Sequence, residues 1–184
     1  MAPILTLLIL FSSTNAATKR SPCESRAPSS LSAEHKVKLC EAAPQDSEAP
    51  AICAKAAPRR ISFDALLLLC RSAPEVREAT KAPVACFKAA AARFRGAERE
   101  VQRAHLCASA TSNMPAKCAL ALRTGTDPEI MVELCRGARS TAPAACFRAV
   151  RPAAALEDEQ KAELCRSARA GRDDDGNDLA TLPA

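Results

Sequence analysis

The chain contains no tryptophan and no tyrosine, and only five glycines, five phenylalanines and two histidines. Proteins that bind single-stranded nucleic acid usually stack bases on aromatic side chains, so nucleic-acid binding is not expected. Scarce glycine beside abundant alanine, leucine, arginine, lysine and glutamate favours helix, and no segment shows the alternating pattern of a strand. The sequence therefore predicts an all-α protein.

The motifs of common catalytic and metal sites are also missing. No G-x-S-x-G, H-E-x-x-H or glycine-rich phosphate loop occurs, and no C-x-x-C pair accompanies the two histidines, His35 and His105. Both histidines occupy repeat positions where other copies carry different residue types, which is typical of surface sites. We predict that the protein is not an enzyme and has no catalytic residue, metal site or cofactor.

Long apolar segments are rare as well. The run from Ile4 to Phe11 has eight residues, which is fewer than the roughly 20 that span a bilayer. Small residues at Thr14 and Ala16 follow it, so residues 1–16 are predicted to be a signal peptide. We therefore expect a secreted protein without a transmembrane segment. The dibasic pair Lys19-Arg20 marks residues 17–20 as a short pro-segment.

Cysteine is plentiful, whereas apolar residues for a core are few. An even number of ten cysteines in an oxidising compartment predicts five disulfides. Leu, Ile, Val and Phe supply only 27 of the 164 residues after Arg20, a share below the roughly 20% at which chains begin to resemble disordered ones. A disulfide that closes a loop of about 15 residues contributes about 3 kcal/mol. The fold is therefore expected to depend on its disulfides.

Two short sequence motifs recur around the cysteines. Leu-Cys ends segments whose apolar residues have helical spacing, and we name these predicted helices A-type. P-x-x-C begins other segments, and because proline is tolerated in the first turn of a helix, each predicts a short helix that we name B-type. The P-x-x-C copies are Pro50–Cys53, Pro83–Cys86, Pro115–Cys118 and Pro143–Cys146.

Two disulfide schemes fit these helices, because antiparallel neighbours allow both. The first joins each Leu-Cys to the next P-x-x-C, as Cys40–Cys53, Cys70–Cys86, Cys107–Cys118 and Cys135–Cys146. The second joins each P-x-x-C to the next Leu-Cys, as Cys23–Cys40, Cys53–Cys70, Cys86–Cys107, Cys118–Cys135 and Cys146–Cys165. We favour the second scheme because the first leaves Cys23 and Cys165 without partners.

The second scheme divides residues 21–170 into five units, each a B-type helix, a turn and an A-type helix. The units lie at about 22–43, 50–73, 83–110, 115–138 and 143–168. Hairpins too small to bury their own apolar faces are expected to stack, so we predict tandem disulfide-stapled hairpins that form a short α-solenoid or a compact helical array. Residues 171–184 are predicted to be a disordered acidic tail.

Burial or helix formation can be predicted for three particular segments. Leu66 to Leu69 is apolar on every side of its helix, which predicts a buried, central position. Val37 shares one helical face with Cys40 and Ala43, so this stripe is expected to face the core. The first unit departs from the pattern, because Pro22 directly precedes Cys23 and the segment Arg26–Ser30 is expected to form helix poorly, as in a frayed cap.

The pattern L-C-x-x-A followed by A-P-x-x-C-F-x-A covers residues 22–168. It resembles a repeat of uncharacterised secreted cysteine-repeat proteins from microbial eukaryotes. The resemblance implies a secreted repeat protein and no particular activity.

Clusters of basic residues are the candidate binding surfaces. Residues 21–170 contain 23 Lys or Arg and 17 Asp or Glu, and arginines concentrate at 93–103 and 166–172. Such clusters can bind a polyanion, such as an acidic glycan or an anionic lipid surface, although solvated helix faces carry them too. The acidic groups at Glu98/Glu100 and Glu157–Glu159 lie at predicted helix starts, where they stabilise the helix dipole. Asp173 to Asp178 lacks the spacing of a calcium loop.

The leading functional hypothesis is a secreted, non-enzymatic binding or structural scaffold for an extracellular macromolecule, either a protein or an acidic glycan surface. The alternative is a carrier of a small apolar ligand such as a lipid, with a pocket lined by Leu66–Cys70, Phe63, Phe87, Phe94 and Phe147, although core packing would explain the phenylalanines equally well. A hydrolase with an unfamiliar site, using His35 or His105 as its base, is the third.

Overall fold

A computed structural model describes residues 21–150 and 156–166. Within these ranges the regular secondary structure is entirely helical, which confirms the all-α prediction. The predicted signal peptide, pro-segment and acidic tail lie outside the described residues. The α-helices are α1 (Pro22–Arg26), α2 (Ala33–Cys40), α3 (Ala49–Ala56), α4 (Phe63–Cys70), α5 (Ala82–Ala89), α6 (Glu100–Cys107), α7 (Met114–Ala121), α8 (Pro128–Cys135), α9 (Ala142–Ala149) and α10 (Asp158–Arg166).

The two helix types begin in different ways. Among the A-type helices, α2 and α4 each start after a serine that caps the helix. Ser32 Oγ accepts a hydrogen bond from the backbone N–H of His35 at 3.1 Å, and Ser62 Oγ accepts one from the N–H of Ala65 at 3.4 Å. These bonds satisfy amide groups that have no partner inside the helix. The B-type helices after the first carry proline at their second position instead, where its missing N–H costs nothing.

Each disulfide joins a B-type helix to the A-type helix that follows it. The pairs are Cys23–Cys40, Cys53–Cys70, Cys86–Cys107, Cys118–Cys135 and Cys146–Cys165. They follow the second of the two pairing schemes, and the Cα atoms of each pair lie 5.5 to 5.8 Å apart. All ten cysteines are therefore committed to holding five helical hairpins closed.

The hairpins stack into two layers, which form a compact helical array. One layer, the B layer, contains α1, α3, α5, α7 and α9, and each of these helices contacts the next in that order. The other, the A layer, contains α2, α4, α6, α8 and α10, which are also in contact one after another. Each unit thus packs on its neighbours in both layers, as in a helical repeat protein.

The core lies between the layers and is built largely from alanine and cystine. Leu39, Leu69, Leu106 and Cys53 are all 0% exposed, and the buried cluster also contains many alanines. Alanine lets helix axes approach closely but buries little apolar area, at about 25 cal/mol per Å². The larger side chains of the A-type helices therefore supply much of the apolar burial.

Two expectations about burial need correction. Leu66 and Leu69 are buried, but Leu67 and Leu68 are partly exposed, so this helix has an outer face. Val37 is 52% exposed, because α2 lies at the end of the A layer and has no further A-type helix beside it. Helix α5 ends at Ala89 and is followed by a 3-10 turn, Ala90–Ala92. The first unit forms only a short helix, as expected, since α1 has five residues and ends at Arg26.

No helix within the described residues is long and apolar enough to cross a bilayer.

A non-reducing tryptic map tests the disulfide pairing. Cleavage after Lys117, Arg123 and Arg136 separates Cys118 from Cys135. We expect residues 118–123 to remain joined to residues 124–136 until a reductant is added. Recovery of 118–123 joined instead to residues 104–117, which contain Cys107, would support the first scheme and contradict the structure.

Replacing Leu69 tests the core. Leu69→Ala should lower the free energy of unfolding by about 3 kcal/mol, because the side chain is fully buried and its removal leaves a cavity. Denaturant unfolding followed by circular dichroism measures the change. Leu120→Ala is the matched control, since Leu120 is 45% exposed and its loss should cost no more than about 0.5 kcal/mol. Equal losses in the two variants would contradict the assigned core.

Candidate functional site: a cationic groove on the B layer

Both histidines are half-buried rather than free on the surface. The His35 ring stacks on Phe63, with ring centroids 3.7 Å apart and planes inclined by 11°. This contact joins α2 to α4, so His35 has a packing role. Since every cysteine is disulfide-bonded, no thiol is present to act as a nucleophile.

The acidic groups noted in the sequence take part in local contacts at helix starts. Glu100 Oε2 accepts a hydrogen bond from the backbone N–H of Ser62 at 3.1 Å, which ties α6 to the start of α4. Asp158 Oδ1 lies 2.9 Å from Lys161 Nζ within α10. Asp173 to Asp178 lies outside the described residues. In the part of the chain that the structure describes, no three His, Cys, Asp or Glu side chains are grouped to hold a metal ion.

The arginine cluster at residues 93–103 is partly built into the fold. Arg93 Nη2 donates to the carbonyl oxygen of Leu122 at 2.9 Å. The Arg103 guanidinium lies over the ring of Phe87, 3.8 Å from its centroid, and burial lowers the pKa of Arg103 while Glu100 partly offsets that effect. These two arginines are therefore structural.

The second arginine cluster, residues 166–172, is described only at its start. Arg166 pairs with Glu163 at 3.8 Å, and residues 167–172 lie outside the described ranges.

The phenylalanines belong mainly to the core. Phe87 and Phe94 are each 1% exposed and lie within the buried cluster, and Phe63 and Phe147 pack against it half-buried. Phe87 also provides the surface on which Arg103 stacks. These contacts account for the aromatic residues as packing elements rather than as the wall of a ligand cavity.

A shallow groove runs over the N-terminal part of the B layer, between α1, α3 and the segment before α5. It consists of two adjoining depressions that share Arg26, Ile52 and Arg77. The first has a volume of about 400 Å³ and is also lined by Lys55, Ala56 and Lys81. We call this first depression the cationic groove, because all four of its charged side chains, Arg26, Lys55, Arg77 and Lys81, are positive.

Acidic groups bound this groove on one side. The second depression adds Asp46, Glu48 and Glu75 to the lining. Glu48 pairs with Arg26 at 3.0 Å, so Arg26 is partly neutralised and held in place. The net positive charge is therefore concentrated at Lys55, Arg77 and Lys81, all of which are exposed.

The groove continues into a row of cations along the B layer. Helices α3, α5, α7 and α9 each carry one cation, Lys55, Lys88, Lys117 and Arg148 respectively, and no acidic residue. All four side chains are exposed. Lys88 Nζ donates to the carbonyl oxygen of Ala56 at 3.3 Å, which places its charge beside the end of the cationic groove. We name these four residues the B-layer row.

Helix geometry explains why the row faces solvent. Lys55, Lys88 and Arg148 each follow the disulfide cysteine of their helix by two positions, which is about 200° around the helix axis. The cysteine points at the A-type partner, so the cation points away from it. Lys117 precedes its cysteine by one position and lies on the same outer side, about 60° from the others.

The B-layer row was not predicted from the sequence. Its signal was present in the phrases after P-x-x-C, "AKAA", "FKAA" and "FRAV", which each place a cation two residues beyond the cysteine. One cation per repeat forms no local cluster, however, so a search for runs of arginine passes over it. Only stacking of the repeats brings these residues into one row.

Comparison with known proteins does not assign the chain to a family. No protein-family model, no curated protein and no solved structure matches the chain. The resemblance to secreted cysteine-repeat proteins therefore stays a prediction from the sequence.

The stacking of Arg103 on Phe87 makes a testable contribution to stability. Arg103→Ala should lower the free energy of unfolding by about 1 kcal/mol, because it removes the cation and the cover over the ring. Arg103→Met keeps an apolar chain there and should cost less. The exposed Arg99→Ala serves as control in the same denaturant titration, and a loss there equal to that of Arg103→Ala would contradict a specific role.

Proposed function

We propose that this protein is a secreted, non-enzymatic binding scaffold that docks an extracellular macromolecule on its B layer. The observation that carries the proposal is the cationic groove, an open surface whose four charged side chains are all positive. Arg26 and Lys55 lie on the disulfide-linked helices α1 and α3, and Lys81 directly precedes α5, so the backbone positions of these cations are fixed before a ligand arrives. A preorganised backbone loses less conformational entropy on binding than a mobile one.

The five disulfides support the secreted part of the proposal. Such a density of disulfides is characteristic of small proteins in oxidising compartments and is rare in the cytosol. The described fold begins at Ser21, whose Oγ accepts the N–H of Glu24 at 3.2 Å and caps α1. Cleavage after Arg20 would leave this cap intact.

Expression in a eukaryotic host tests export and processing together. We expect the protein in the culture medium, with an N-terminus at Ser21 determined by sequencing. An N-terminus at Ala17 would show signal-peptide removal without the dibasic cleavage. Retention of the unprocessed chain inside the cell would contradict the secreted scaffold.

A binding screen tests the groove. The wild-type protein is titrated onto panels of extracellular proteins, neutral glycans and acidic glycans, and we expect saturable binding to at least one. Lys55→Glu/Lys81→Glu reverses two of the groove's charges and should weaken that binding at least about tenfold, since like charges across an interface are strongly unfavourable.

Lys36→Glu/Arg166→Glu is the matched control, because it changes the net charge equally on the A layer. This variant should bind within about threefold of the wild type. Equal loss in the two variants would place the effect in net charge rather than in the groove. Absence of saturable binding on every panel would contradict a binding scaffold.

A further inference from the structure

We propose that the ligand of this surface is a linear acidic polysaccharide, which lies in the cationic groove and extends along the B-layer row. This inference rests on the proposed binding function and specifies its partner. The partner is defined by its chemistry, namely a flexible chain of sugars with a carboxylate or sulfate group repeated along its length.

Charge is divided between the two layers in a way that directs a polyanion to one of them. The helices that carry the row have four cations and no acidic residue. The A-type helices together carry eight acidic residues against five cations. A polyanion is therefore attracted to the B layer and repelled from much of the A layer. Only α1 among the B-type helices has an acidic residue, Glu24.

The spacing of the cations fits an extended chain. Consecutive B-type helices are in contact, and packed helices lie about 8–10 Å apart. Each helix along the layer thus adds one cation, from the groove at Lys55 through Lys88 and Lys117 to Arg148. A polymer with regularly repeated anions can contact these cations in turn, and each added contact raises the overall affinity through effective concentration.

The other polyanions fit this surface less well. Membrane-surface binding usually adds apolar side chains that enter the bilayer, whereas the row's helices expose one large apolar side chain, Leu120. Single-stranded nucleic acid is bound through aromatic stacking, but Phe87 and Phe94, on and after α5, are buried, and Phe147 on α9 is half-buried against the core. The described lining of the cationic groove contains Ile52 and Ala56 but no aromatic side chain, so its four cations favour a hydrophilic acidic chain.

The test measures binding of two probes, heparin as a sulfated chain and polygalacturonate as a carboxylated one, to the full secreted protein by isothermal titration. Neutral dextran is the uncharged control, and vesicles with and without phosphatidylserine test the membrane alternative. We expect saturable binding to at least one acidic polysaccharide and none to dextran. The affinity should fall at least about tenfold between 50 and 200 mM salt, because counterions are released on binding.

The decisive variant is Lys55→Gln/Lys88→Gln/Lys117→Gln/Arg148→Gln, which removes the row. Its control, Lys36→Gln/Lys38→Gln/Arg71→Gln/Arg166→Gln, removes the same charge from the A-type helices and their ends. We expect the row variant to lose at least about thirtyfold in affinity and the control less than about fivefold. Circular dichroism and a non-reducing peptide map on both variants check that the fold and the disulfides are retained.

Chain length gives a second readout that overall charge alone would not produce. Oligosaccharides that contact only one helix should bind weakly, and affinity should rise with length until the row is covered. The row variant should lose this rise. The same length dependence in the row variant and the wild type would overturn the assignment to the B layer.

The remaining outcomes distinguish failure of the polysaccharide proposal from failure of the binding-scaffold proposal. Binding to an extracellular protein through the groove, without binding to acidic chains, would overturn the polysaccharide and leave the scaffold intact. Binding to phosphatidylserine vesicles alone would overturn it in favour of a membrane surface. Equal affinity losses in the row variant and its control would overturn the row, and absence of every ligand would overturn both proposals.

Discussion

The disulfide within each hairpin is the constraint on which the rest of this structure depends. A unit consists of two short helices, mostly of eight residues, and isolated helices of that length are unstable in water. Its interior is rich in alanine, whose burial contributes little. The bond between Cys53 and Cys70, for example, closes a separation of 17 residues and so removes conformational freedom mainly from the unfolded chain. Five such bonds allow a chain with few large apolar residues to form a two-layer array.

The same arrangement explains how charge becomes separated between the layers. The A-type helices α2, α4 and α8 begin at Ser or Asp caps followed by an acidic residue, such as Ser32 with Glu34, because carboxylates there stabilise the helix dipole. The B-type helices after α1 have proline at their second position, and in α3, α5 and α9 the basic residue lies in the last turn, whereas Lys117 lies in the middle of α7. Local preferences for helix capping thus place acids on one layer and isolated cations on the other. A cationic surface arises from helix-forming rules without any local cluster of lysine or arginine.

The sequence predicted the features that are local or that follow from counting cysteines. Proline three residues before Cys53 indicated a helix start, and the two unmatched cysteines of the first scheme favoured the pairs that the structure contains. Features that depend on neighbouring units were harder to predict. Val37 follows the buried periodicity but is exposed at the end of the A layer, and Arg103 looked like a solvated cation although it stacks on Phe87. Periodicity along one helix does not specify which neighbour covers each face.

The cationic groove also depends on contacts between units, which periodicity along one helix does not predict. Arg26, Lys55 and Lys81 come from three separate segments, and the stacking of α1, α3 and α5 places them around one depression. Single lysines on mobile chains bind anions weakly, because each ion pair must offset the entropy of ordering its side chain. A stapled repeat fixes the backbone positions of all these cations together, so that after the first contact the others form at a high effective concentration. An array of modest charges on a rigid layer can therefore bind a long polyanion that no single unit would retain.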